Sequence, residues 1–468
     1  MGQASVIGSG PNGLAAAIVL AQAGLKVEVF EAEPQAGGAA RTLPLTLPGF
    51  RHDFGSAVHP MAAGSPFFST LPLEAQGLEW VHGGAPLAHP LDDGTAVMLE
   101  RDLPDAARAL GEDGRAWRTV VEPLAENWQK LAAEILGPAV HFPRRPFLLA
   151  RFGLNAVLPA NLFCKRFRSE RTKALFAGLG AHSFLSLDEP LSSAIGLVLG
   201  AAAHAVGWPV PRGGAQAIPD ALARHLRQLG GEVRVSTRVG SLGDLADGLT
   251  LCDITPRQLL AMAGERLAAP YRRTLERFEP GPAAFKVDYA LSEPIPWRAK
   301  DCLRAITVHL GGGLDEIAAS EREMAHGRPA ERPFVLLAQP SLFDPTRAPE
   351  GKHVAWVYCH VPNGSAVDMQ ERIENQIERF APGFRDCILA RHVSTPATLE
   401  ARDANLLGGD ISGGAMSVRQ TLFRPGIRQY ATSLRNLYLC SSSTPPGGGV
   451  HGMCGYHAAR LALRRARV

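Results

Sequence analysis

Residues 4–31 read ASVIGSGPNGLAAAIVLAQAGLKVEVFE, and the order of their parts decides the fold. Residues 4–7 are a short apolar run suited to a buried strand. Gly8, Gly10 and Gly13 follow in G-x-G-x-x-G spacing, and an Ala/Leu-rich stretch from Leu14 to about Ala23 carries a helix that Gly24 closes. Residues 26–30, KVEVF, alternate as a second strand and end on Glu31, 18 residues past Gly13. The first glycine allows a tight turn, the second lets backbone approach a diphosphate, and the third lets helix pack on strand. The helix N-terminus offers unpaired N–H groups to phosphate, and an acid at the next strand end accepts from ribose hydroxyls. The order predicts a Rossmann-like βαβ unit that binds a dinucleotide. Glu31 would repel a 2′-phosphate, which leaves FAD or NAD and disfavours NADP.

After Glu31 the chain continues AEPQAGGAARTLPLTLPGFRHDFGS, with Gly37, Gly38, Arg41, Phe54, Gly55 and Ser56. This segment resembles the G-G-x-x-R-T stretch of FAD enzymes of the phytoene-desaturase and amine-oxidase kind, which NAD domains generally lack. The resemblance implies FAD, with Arg41 near its phosphates. Residues 434–463, LRNLYLCSSSTPPGGGVHGMCGYHAARLAL, resemble the C-terminal FAD motif of the same family. A helix opening near Val450 would aim its positive end at the flavin's pyrimidine side, favouring the reduced ring. Ser441, Ser442 and Ser443 replace the usual G-A-G or acidic position there, so a hydroxyl stands in for a carboxylate contact. Residues 208–239, WPVPRGGAQAIPDALARHLRQLGGEVRVSTRV, resemble the family's P-x-G-G segment, helix and strand, whose closing valine, here Val239, holds the adenine by its backbone. The hairpin that usually follows is cut to SLGDLADG, so a surface β-meander is expected to be missing.

Residues 281–297, 347–362 and 405–414 resemble the branch named for the pyridine nucleotide-disulfide oxidoreductase domain, within the phytoene-dehydrogenase-related superfamily. Spacing and resemblance together place cofactor contacts at Gly8, Gly10, Pro11, Asn12, Gly13, Glu31, Ala32, Gly38, Arg41, Gly55, Ser56, Val239, Ser442, Gly449, Val450 and His451. The implied fold is α/β: a discontinuous Rossmann-like FAD-binding domain of glutathione-reductase type from residues 1–85, 205–262 and 395–468. Residues 86–204 and 263–394 are expected to form an α+β substrate domain, the first helical, the second carrying period-2 strands over the flavin's reactive face. The branch name itself is not followed: no second G-x-G-x-x-G comes directly after a strand, no C-x-x-C occurs, and Gly311–Gly313 reads as a loop. Electrons leaving the flavin are then expected to pass to O₂, a quinone or another carrier.

Hydrophobic residues make up 46% and charged residues 20% of 468, enough apolar surface for packed domains. Net charge is +3, from 48 basic and 45 acidic residues, without a run of five like charges, which argues against nucleic acid. Seven cysteines without C-x-x-C fit a reducing, cytoplasmic setting. Residues 1–25 lack the basic start of a signal peptide. Residues 190–211 carry no charge but contain Ser192, Ser193, His204 and Trp208, and read as a buried or membrane-grazing helix.

A general base adds roughly 10²- to 10⁴-fold where a proton leaves with the electrons. The candidates are His59 beside the FAD segment, and His309 and His360 on predicted strands. Lys286 and Asp288 share a strand face and read either as chemistry or as an ion pair on a solvated face. His451 and His457 on one helix would face apart, so no metal is expected. The basic, aromatic stretch over residues 143–167 reads as an amphipathic lid or as a contact with an anionic membrane surface. The partner expected is a small apolar substrate, a carotenoid or related isoprenoid, giving up hydride to flavin N5. A redox-neutral isomerase using reduced FAD and a flavin-binding interaction protein without turnover are the alternatives.

Overall fold

The protein is described here from a computed structural model covering residues 2–466; residues 1, 467 and 468, at the ends of the expected cofactor domain, lie outside it. Two main sheets organise the chain. Their strands are β1 (Gln3–Ile7), β2 (Lys26–Phe30), β3 (Ala85–Pro90), β4 (Ala96–Leu99), β5 (Glu232–Arg234), β6 (Leu249–Cys252), β7 (Ala283–Leu291), β8 (Ala305–Leu310), β9 (Val335–Ala338), β10 (His353–Val361), β11 (Ile388–Ser394) and β12 (Leu437–Leu439). The helices used below are α1 (Pro11–Gln22), α2 (Pro146–Ala156), α3 (Glu170–Ala181), α4 (Ser192–Ala205), α5 (Ala217–Gln228) and α6 (Met453–Ala466).

The first sheet runs β12-β6-β1-β2-β5 and is parallel throughout. Parallel strands need crossovers, and α1 supplies the one between β1 and β2. Ten of its twelve residues, Asn12 to Ala21, are buried, because α5 and α6 pack on it. Where the family's hairpin is shortened, residues 235–248 hold only a short 3₁₀ turn at Leu242–Asp244.

The second sheet runs β11-β7-β10-β9-β8-β3-β4, antiparallel except where β8 lies along β3. The fold is thus α/β, a parallel Rossmann-like layer beside a mixed sheet. β3, β7, β8 and β9 are buried at every residue. One face packs Val287 and Tyr289 with Ile373, Ile377 and Phe380 of the helix Gln370–Phe380. The other turns Lys286 and Asp288 inward, so the solvated face read from the alternation is wrong. Lys286 Nζ donates to Asp288 Oδ2, His52 Nδ1 lies 3.7 Å from Asp288 Oδ1, and Trp356 sits beneath the ammonium.

α4 occupies the uncharged stretch, buried against α3 and α2. Among the described residues no helix is long and apolar enough to cross a membrane.

Candidate active site

A cavity of about 840 Å³ runs between the two sheets, within the range of 300–1,000 Å³ usual for ligand sites. One end is built by the glycine turn. Gly10 caps α1 in an extended conformation, with no side-chain acceptor of its own, and Pro11 starts the helix. Gly8 holds φ +93°, and a Cβ there would stand 2.8 Å from the Asp253 carbonyl oxygen, so only glycine fits. Gly8, Gly10, Pro11 and Asn12 line the cavity. Gly13 does not; its N–H donates to Asp253 Oδ2 at 2.8 Å.

Glu31 and Ala32, at the end of β2, line the same wall. Glu31 Oε2 accepts from Ser9 N (2.9 Å) and Ser9 Oγ (2.5 Å), which fixes it against the turn, and Oε1 accepts from Glu33 N. Gly38 and Arg41 follow. Arg41 is buried, and its guanidinium donates to the carbonyls of Gly38 and Arg402 at 2.8 Å and pairs with Glu33 at 3.3 Å. Gly55 and Ser56 also line the cavity, as does Val239. Val239, however, does not close a strand: β5 stops at Arg234, and the valine sits in the loop beyond it.

From the C-terminal motif, Ser442, Gly449 and Val450 reach the cavity, and Asn12 Nδ2 lies 3.5 Å from Ser442 Oγ. His451 does not reach it. Its ring is buried, Nδ1 accepts from Met453 N at 3.0 Å, and its carbonyl accepts from Ser65 Oγ. α6 opens at Met453 rather than near Val450. Cys454 and His457 turn to Thr444 and Leu136 instead of to a shared centre.

The cavity's other end is walled by Met61, Leu199, Trp208, Leu336, Trp356 and Tyr358, with His59, His182 and Thr307 among them. His59 is the one proposed base that reaches the cavity. Neither ring nitrogen has a protein partner among the described residues, and burial pushes it down to about 4, against the pull of Asp53. His309 and His360 lie behind the wall. His309 Nε2 stands 3.0 Å from Nε2 of His182, and His360 Nδ1 pairs with Glu321 Oε2 at 2.7 Å. Burial holds His309 well below its ordinary value and His182 at about 3, so the pair is neutral and shares one N–H.

Sequence reasoning missed His182, Trp356, Tyr358 and Asp253. Trp356 and Tyr358 are two apart on β10 and meet edge to face at 5.0 Å, a period-2 signal that was there to read. His182 and Asp253 carry no motif.

A glycine cradle at a helix N-terminus, an acid at the second strand end and buried unpartnered oxygens at Asn12 Oδ1 and Ser56 Oγ fit a flavin dinucleotide. The fold and cavity define a two-sheet dinucleotide-dependent oxidoreductase. The chain belongs to the flavin containing amine oxidoreductase family, whose model matches residues 12–461. It is an FAD oxidoreductase. It is similar to pyridine nucleotide-disulfide oxidoreductase domain-containing protein 2 of Mus musculus, at 28% identity over 98% of this chain and 93% of the relative. It is also similar to the neurosporene-forming phytoene desaturase of Rhodobacter capsulatus, at 26% identity over 97% and 92%. Among solved structures, an oxidoreductase from Methanosarcina mazei shares the fold with a TM-score of 0.66 at 18% identity, over 98% of this chain and 100% of the other.

Proposed function

We propose that FAD lies along the wall from Glu31 to Val450 and that the aromatic end of the cavity takes an apolar, isoprenoid-like substrate for desaturation. One observation carries the choice of substrate. The cavity-lining residues of β8, β9 and β10 are Thr307, Leu336, Ala338, Trp356 and Tyr358, with no carboxylate among them, and His59 and His182 are kept neutral by burial. A cationic substrate would lack a counter-charge there, whereas a polyene gains from apolar and aromatic contact. Gly8, Gly10, Pro11 and Asn12 would hold the diphosphate, Glu31 the ribose, and Ser442, Gly449 and Val450 the flavin end. FAD supplies a two-electron acceptor when bound. The chain orients the substrate, excludes water and keeps His59 and His182 neutral beside it.

Anaerobic mixing with a lipid-soluble polyene tests this: loss of the oxidised-flavin absorbance is expected. Product formed only by pre-reduced protein would select isomerisation, and bleaching by an amine alone would overturn the apolar reading.

Attachment to an anionic bilayer surface belongs to the same proposal. Phe142 and Phe147 are 95% and 91% exposed, and residues 135–169 hold six Lys or Arg and no Asp or Glu. An apolar, cationic surface of this kind suits anionic lipid.

A further inference from the structure

Asp253 follows β6 directly and sits under the glycine turn. Its Oδ2 accepts from Gly13 N at 2.8 Å, and a Cβ on Gly10 would lie 2.9 Å from the same oxygen. Asp253 is 6% exposed and lines the cavity. The carboxylate thus caps α1 from outside the helix, at the end where backbone N–H groups await a diphosphate.

No cation bonds this carboxylate among the described residues. Arg41, the nearby guanidinium, is committed to the Gly38 and Arg402 carbonyls and to Glu33. The groups that act on Asp253 from the surrounding elements are acids: Asp403 beyond the helix Pro396–Arg402, and Glu31 at the end of β2. The other titratable groups facing it are the buried thiols of Cys252, Cys440 and Cys454. Asn405 Nδ2 donates only to the Asp253 backbone carbonyl, at 2.8 Å. Burial pushes the carboxyl up to about 7; the Gly13 N–H opposes the rise, and Asp403 and Glu31 add to it. A diphosphate brought to the same helix end adds negative charge beside a group that already ionises with difficulty.

We propose that Asp253 takes up one proton from solvent when FAD binds and stays protonated in the holoprotein, so that this carboxyl sets how FAD affinity depends on pH. The proposal rests on the assignment of the glycine turn to the FAD diphosphate. Below the pH at which the apoprotein's Asp253 ionises, the site is already protonated and affinity is flat. Above it, each bound FAD requires one proton.

The experiment is calorimetric titration of the apoprotein with FAD between about pH 6 and pH 9, in two buffers of different ionisation heat, which counts protons directly. We expect uptake approaching one proton per FAD at about pH 8 and a tenfold loss of affinity per pH step above about 7. Asp253→Asn keeps an acceptor for the Gly13 N–H and is expected to bind FAD with no slope and no uptake. Uptake of no proton by the wild type would overturn the proposal, and this measurement needs no variant to fold. A slope that survives in Asp253→Asn and disappears in Asp403→Asn would overturn the assignment to Asp253. Absence of FAD binding at every pH would overturn the cofactor assignment beneath it as well, and is distinguishable from binding without a pH dependence.

Discussion

Buried charge gives the residue scale its strongest expectations. Lys286 and Asp288 are both under 4% exposed, and burial penalises the charged form of each while the partner partly restores it. Lys286→Met strands the carboxylate, and unfolding by denaturant should show a loss of about 3–5 kcal/mol. Adding Asp288→Leu should recover most of that loss; a double variant no better than the single one would mean that the pair is not the cause. The histidines set the acid limit. Burial lowers His52 and His182 to about 3 and His59, His89, His451 and His457 to about 4, from an ordinary value of 6.5. Unfolded histidine binds a proton that these sites refuse, so their contribution is complete above pH 6.5 and is lost as pH falls toward 4. Asp253, Asp288 and Asp403, raised to about 7, 6 and 6, act with the opposite sign, favouring the fold as pH drops. The histidines are more numerous, so Tm should fall between pH 6.5 and 4; a flat or rising Tm across that window would contradict these neutral sites. Gly8→Ala forces a side chain to φ +93° against a backbone oxygen, and purified protein should lose most of its flavin absorbance per chain.

Elements differ in how much of their placement was written locally. α1 has its Pro at N1, its alanines and its closing Gly24 within 14 residues, and its ends follow from propensity and capping. α6 starts later than its motif implies because Gly449 and Gly452 sit at φ +124° and +69°, which carries the chain past Val450 in an irregular turn. α2 is apolar on two sides. Phe152 and Ala156 are buried against the molecule, while Phe147 and Leu154 are 91% and 75% exposed. A helix of that kind is normally covered. Phe142→Ser with Phe147→Ser should reduce co-flotation with anionic vesicles by roughly tenfold or more, given about 1.5–3 kcal/mol per buried large side chain. Unchanged flotation would assign the face to something other than lipid.

At the scale of the molecule, the cavity joins residues 7–61, 182–208, 237–262 and 402–450 to the strands of the second sheet. FAD bound across so many segments should act as a structural tie. At FAD a hundredfold above Kd, the holoprotein should gain about 2.7 kcal/mol over the apoprotein, read as a rise in Tm; no rise would mean that FAD does not prefer the folded chain to the unfolded one. The sequence alone determined the parallel layer and the cofactor class, because the strand, turn, helix, strand and acid of a dinucleotide-binding pattern lie within 31 residues and obey short-range rules of φ, capping and spacing. It also carried Ser442, Gly449 and Val450, through local motifs. Only the tertiary structure decided which groups face which. Asp253 meets Gly13 across 240 positions of chain, His182 meets His309 across 127, and Lys286 is dry because His52 and Trp356 close around it on a sheet face whose alternation looked half-solvated. Desolvation and charge depend on what surrounds a side chain in space, and chain closure, not spacing, supplies those neighbours.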